Sequence, residues 1–126
     1  MNQIINTTSA PAPIGPYSQA VIANGFLFLS GQVAINPESG EVTQTSIPEE
    51  THQVMRNIKA VLLEAGYTFD QVVKTTIFLA DMELFSAVNE VYGSYFNSTY
   101  PARETVAVKG LPKGVNVEIS VTAFQG

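Results

Sequence analysis

The chain has 126 residues, 45% of them apolar, and a formal net charge of −5. That length and apolar share suit one domain, residues 1–126, able to bury most of its unfolded surface without staples. It has no cysteine, which excludes disulfides, thiolate catalysis and Cys-based zinc or iron–sulfur sites, and its one histidine, His52, leaves little for an imidazole metal cluster.

The six basic residues (Arg56, Lys59, Lys74, Arg103, Lys109, Lys113) are scattered, so no groove for nucleic acid is expected. Met1 to Ile5 lack a basic stretch followed by a long apolar one, and no apolar run reaches membrane-spanning length. A soluble cytoplasmic protein without a membrane partner is expected.

Residues 6–16 carry three prolines and a glycine and read as an extended lead-in. Tyr17 to Ala23 and Phe26 to Val33 flank Asn24-Gly25, which predicts a two-residue type I′ hairpin because both central positions need positive φ. That register sets Ala23 opposite Phe26, and puts Tyr17, Gln19, Ser30 and Gln32 on one face with Phe26 and Phe28. Asn36 to Gly40 is a turn, and Glu41 to Thr45 a short strand. Ser46 and Glu49 form a predicted capping box for a helix whose apolar face is Val54, Ile58, Val61, Leu62 and Ala65, ended by Gly66. Val72 to Ala80 is a buried strand. Asp81 caps a second helix with the stripe Phe85, Val88, Tyr92, Tyr95 and Phe96, stopped at Tyr100-Pro101. Strands Thr105 to Lys109 and Val115 to Phe124 close the chain.

The pattern predicts an α+β fold: one mostly antiparallel sheet of about six strands with two helices on one face. Phe26, Phe28 and Tyr17 then lie on the face without helices, together with uncharged Ser and Thr. A further copy of the chain is expected to cover it.

Two polar residues stand out. If the last two strands form a hairpin with Val106 and Val108 on the core side, Arg103 and Thr105 share a face with Glu118, about 10 Å apart at about 3.3 Å per residue. Arg103 is either a surface arginine paired with an acid such as Glu104, or a fork for a ligand carboxylate. Glu118 is either a solvent-facing strand carboxylate or a base that activates water. Tyr17 and Ser30 can hydrogen-bond a ligand, or be satisfied internally. His52 reads as a solvated surface residue. No nucleophile elbow, P-loop or dinucleotide fingerprint is present.

Several blocks in order resemble the Rid family of reactive intermediate deaminases, in particular its RidA branch. They are Ala12-Pro13-Ile14-Gly15-Pro16-Tyr17-Ser18-Gln19, Ser30-Gly31-Gln32, Asn89-Glu90-Val91-Tyr92, Tyr100-Pro101-Ala102-Arg103 and Leu111-Pro112-Lys113-Gly114-Val115-Asn116-Val117-Glu118-Ile119. The resemblance implies a chorismate-mutase-like homotrimer with a cleft at each subunit boundary. It also implies hydrolysis of 2-imino acids (2-iminobutanoate, 2-iminopropanoate) to 2-oxo acids and ammonia, without metal or cofactor. By position, Arg103 resembles the residue that grips the substrate carboxylate and Glu118 the one that activates water. Tyr17, Ser30, Gly31 and Asn89 match positions lining or supporting the cleft, and Thr105 stands where many members have cysteine and a backbone amide meets the ligand. Glu104 and Ser120 depart from the family pattern and bear on substrate range. A non-catalytic sensor of 2-oxo acids is the competing reading. An RNA-cleaving role, reported for the wider family, is disfavoured by the acidic balance and the lack of a histidine pair or basic groove.

Overall fold

The computed structural model describes residues 2–126. Six strands, β1 (Gln3–Ile5), β2 (Ala20–Ala23), β3 (Phe26–Gln32), β4 (Val72–Leu79), β5 (Ala102–Ala107) and β6 (Val117–Phe124), form one sheet in the order β1-β2-β3-β6-β4-β5. Every pairing is antiparallel except β4 with β5. Helices α1 (Ile47–Ala65) and α2 (Phe85–Gly93) pack on one face, giving the expected α+β arrangement.

Local chemistry sets the elements. Asn24 and Gly25 have φ of 52° and 85°, and Ala23 lies opposite Phe26, as a type I′ turn requires. Ser46 caps α1 by accepting from the Glu49 amide at 3.2 Å, and Pro48 sits in the first turn, where no amide is needed. Gly66 ends α1 at φ 81° and returns its amide to Leu62 and Leu63. Asp81 caps a single 3₁₀ turn, Met82–Leu84, that leads into α2. Helix α2 stops at Gly93, short of Tyr95 and Phe96, which lie in the turns that follow.

The core lies between helices and sheet. Val54, Ile58, Val61 and Leu62 of α1 meet Leu27, Leu29, Ile77, Leu79, Val117, Ile119 and Val121. A fully buried side chain such as Ile119 contributes about 1.5–3 kcal/mol. The other face carries Phe28 at 50% exposure, Phe26 and Phe124 with ring centroids 4.6 Å apart, and Val106.

Four expectations are corrected. The last two strands are not a hairpin: β4 lies between β5 and β6. The alternating residues Val117, Ile119, Val121 and Ala123 of β6 are all buried, so β6 takes a central place, while β4, α2 and β5 form a crossover that puts β5 parallel at the edge. Val106 consequently faces away from the core. Gln32 is buried and pairs with Ile119, because the register shifts between Leu29 and Gln32 and inverts the faces expected after Ser30. The sixth strand is Gln3–Ile5 instead of 41–45, where Val42 makes only an isolated bridge to Ile35.

Candidate functional site

Arg103 lies opposite Thr75 on β4, and Thr75 is buried against α2 through the Tyr92 hydroxyl at 2.8 Å. Arg103 therefore points to the helix side of the sheet. Its Nη1 donates to Asn89 Oδ1 at 2.7 Å, and its guanidinium carbon sits 5.2 Å from the Tyr92 ring centre and 5.6 Å from that of Phe85. An amide and two ring faces thus hold the fork without neutralising it. Burial pushes the Tyr92 phenol up, against the smaller opposing effects of the Thr75 hydrogen bond and the Arg103 charge, so Tyr92 stays neutral. Among the described residues the one ion pair joins Lys74 and Glu104, leaving Arg103 without an acidic partner. Glu104 also accepts from Thr76 on the opposite face, away from Arg103, as strand alternation requires. Asn89, Tyr92, Tyr100, Pro101 and Arg103 line a cleft of about 430 Å³. Thr105 follows on the same face, its hydroxyl oxygen buried without a hydrogen-bond partner.

Glu118 lies elsewhere. It is opposite Phe78 on β4, between the buried Val117 and Ile119, so it points to the face without helices. Burial alone pushes its carboxyl pKa up. A cleft of about 560 Å³ holds it together with Tyr17, Ser30, Gly31 and Lys113, walled by Ile14, Val33 and Ile35. The Ser30–Gly31 bulge opens this space. A Cβ on Gly31 would fall 2.5 Å from Glu118 Oε2 and 2.8 Å from its Cδ, so only glycine leaves the carboxylate where it is. Ser30 Oγ donates to the Ser18 carbonyl at 2.6 Å, and the Tyr17 hydroxyl accepts from the Ile14 amide at 3.4 Å. Buried Gln19 ties down the lead-in that frames this cleft, accepting from the Thr7 amide at 2.7 Å and donating to the Pro11 carbonyl at 2.9 Å.

The expected residues thus divide into two groups: Arg103, Asn89 and Thr105 on one face, and Tyr17, Ser30, Gly31 and Glu118 on the other. The shared face expected for Arg103 and Glu118 is not found. Phe78 aligns with both Glu118 and Val106, so Glu118 and Arg103 are two strands apart at about 4.8 Å each and three residues along at about 3.3 Å each, roughly 14 Å between Cα atoms. Their side chains diverge from there, and one chain cannot close both around one small molecule. Tyr92, read from sequence only as core, also lines the cationic cleft; its i+3 spacing from Asn89 was the available signal. Lys113 at the rim of the other cleft, at φ 58° in the turn Pro112–Gly114, had none. Among the described residues no three His, Asp or Glu side chains converge to hold a metal ion, and no helix is long and apolar enough to cross a membrane.

A mostly antiparallel six-stranded sheet backed by two helices, with an unpaired cation in one cleft and a half-buried carboxylate in another, defines an α+β domain of the L-PSP type. The family model described as Endoribonuclease L-PSP matches residues 7–125, and the chain belongs to this family, the Rid family. It is 48% identical over 125 residues to a RutC family protein of Pyrococcus horikoshii, covering 99% of each chain. It is 46% identical over 126 residues to the 2-iminobutanoate/2-iminopropanoate deaminase of Mus musculus, covering all of this chain and 93% of the mouse one. Among solved structures, the Rid family protein YyfA of Yersinia pestis matches with a TM-score of 0.96 and 50% identity over 99% of this chain and 100% of the other. The E. coli protein TdcF with bound serine matches with a TM-score of 0.94 and 36% identity over 98% and 99%.

Proposed function

We propose that this protein hydrolyses reactive 2-imino acids to 2-oxo acids and ammonia, at sites built from Arg103 of one copy and Glu118 of another. The observation that carries this reading is the division of the two groups between opposite faces. Each half lacks what the other supplies: a cation without an acidic partner for a carboxylate, and a partly buried carboxylate for a water. The apolar open face with Phe26, Phe28 and Val106 gives a second copy a surface to cover, and a trimer is the assembly the family resemblance implies.

In this mechanism Arg103 takes the substrate carboxylate by two parallel hydrogen bonds. Its fixed fork sets the imine carbon toward Glu118, whose raised pKa makes it a better base than an exposed carboxylate. Glu118 removes a proton from water as the oxygen bonds to the imine carbon, and the C=N π electrons become a nitrogen lone pair that is protonated. The tetrahedral intermediate then collapses: Glu118, having given its first proton to the nitrogen, takes the hydroxyl proton and passes it to the amine, a C=O bond forms, the C–N bond breaks, and ammonia leaves. An imine carbon is already electrophilic, so orientation and one base suffice. The deaminase name of the mouse relative and the serine bound by TdcF support a small amino-acid-like ligand. The substrates would arise as enamines released by pyridoxal-phosphate dehydratases, such as the one feeding isoleucine biosynthesis, in the cytoplasm.

The test is a coupled assay. A threonine dehydratase generates the enamine, semicarbazide traps the surviving imine, and the protein is present or absent. Faster appearance of 2-oxobutanoate with less semicarbazone supports the reading. A protein that binds 2-oxobutanoate yet leaves imine loss unchanged is a carboxylate sensor instead.

A further inference from the structure

Helix α1 carries a polar seam that the proposed chemistry does not use. Glu50 is fully buried, and no cation among the described residues pairs with it. Its Oε2 accepts from the Asn116 and Val117 amides at 2.8 and 3.2 Å, and its Oε1 from Asn116 Nδ2 at 2.9 Å. A buried carboxylate is tolerated only when such donors replace its water. About two turns further along, Asn57 Nδ2 donates to the Val33 and Ile35 carbonyls at 3.0 and 2.9 Å. The two side chains therefore hold the backbone on both sides of the Glu118 cleft where the β3–β6 pairing does not: β4 holds Val117 and Glu118 from one side, opposite Leu79 and Phe78, but β3 pairs with β6 only as far as Gln32 opposite Ile119.

We infer that Glu50 is a positioning residue for Glu118: by gripping the Asn116 and Val117 amides it sets where the next side chain leaves the strand. This deepens the deaminase reading and rests on it. The carboxylate's geometry also makes the idea separable from mere packing. In Glu50→Gln the new amide oxygen can keep both backbone donors, and its NH₂ can donate to Asn116 once that side chain turns over, so the grip survives. In Glu50→Ala it does not. In Asn116→Asp two carboxyl groups oppose each other, and adding Glu50→Gln restores a donor between them.

The experiment measures kcat and KM for the four variants and, by NMR, the titration of the Glu118 carboxyl, with its cleft neighbours Tyr17 and Lys113 unchanged throughout. Circular dichroism confirms that each variant folds. Glu50→Ala is expected to lower kcat about 100-fold, as an ångström of misplacement does, with KM within about threefold because Arg103 is untouched. Its Glu118 titration moves down toward the ordinary carboxylate range. Glu50→Gln keeps both near the parent values. If Glu50→Ala does not fold, the pair decides: Asn116→Asp loses kcat and the double variant recovers most of it. Parent-like kcat and Glu118 titration in Glu50→Ala, or a double variant no better than Asn116→Asp alone, overturns the inference. A parent protein that turns over no imine sinks the deaminase reading instead, while the Glu118 titration still tests Glu50.

Discussion

Gly31 and Glu118 are matched across neighbouring strands: the carboxylate occupies the space a Gly31 side chain would need, with Oε2 2.5 Å from the place of the missing Cβ. The backbone there is not left-handed, so the requirement for glycine is one of space alone. Gly31→Ala must push the flexible end of Glu118 aside. Thermal unfolding should shift by no more than about 1 kcal/mol, while kcat falls about 100-fold through loss of alignment. A variant as active as the parent would mean that the carboxylate's present position is irrelevant.

Arg103→Ala removes the fork that Asn89 and the Phe85 and Tyr92 rings hold ready. We expect kcat/KM to drop roughly 100-fold, equivalent to about 2.7 kcal/mol. Arg103→Lys should recover little, since an ammonium cannot make two parallel bonds from that position. Steady-state kinetics in the coupled assay decides, and activity within a factor of two of the parent removes Arg103 from the mechanism.

Glu118 carries a raised pKa because it is partly desolvated, and this fixes two pH effects. A base must be ionised, so the acid limb of kcat/KM should lie above the ordinary carboxylate range. For stability the folded protein binds this proton more tightly than the unfolded one. The contribution is complete below the unfolded pKa and is lost as pH rises through the folded one. Glu118→Gln should therefore be inactive yet more stable than the parent at neutral pH, with the gap closing as pH falls through the carboxylate range. Melting curves across that range measure it, and a gap of the opposite sign contradicts the assignment.

Thr105 hides a hydroxyl with no partner behind the Arg103 cleft. Replacing such a group by a methyl relieves its desolvation, so Thr105→Val should gain about 1 kcal/mol in denaturant unfolding. Because the family resemblance gives the ligand contact here to the backbone amide, kcat/KM should stay within about threefold of the parent value. A large loss would show that the hydroxyl itself serves the ligand.

Much of this was readable residue by residue. Asn24-Gly25 could serve only a tight hairpin, Gly66 only a left-handed cap, and the α1 pattern only a buried stripe. What misled was strand adjacency. Consecutive strands usually pair, but here β4 takes the place beside β6 that a hairpin would give to β5, and burial of Val117, Ile119, Val121 and Ala123 fits either neighbour. That one topological choice reversed the face of Arg103 while leaving its candidacy intact, because the reason for singling it out was chemical. The bulge at Ser30–Gly31 was invisible for a different reason: it answers to Glu118, a residue far away in sequence.

With the two groups on opposite faces, the proposed mechanism requires every working site to borrow one of them from a neighbouring copy. Arg103→Ala and Glu118→Gln, each expected to keep about one hundredth of the parent activity or less alone, can be unfolded together in equal amounts and refolded as mixed assemblies. A site then works when one copy brings an intact Arg103 and its neighbour an intact Glu118, a chance of one half for each, so about one quarter of the parent activity should return. Activity no greater than the sum of the two separate variants would mean that no site is shared between copies.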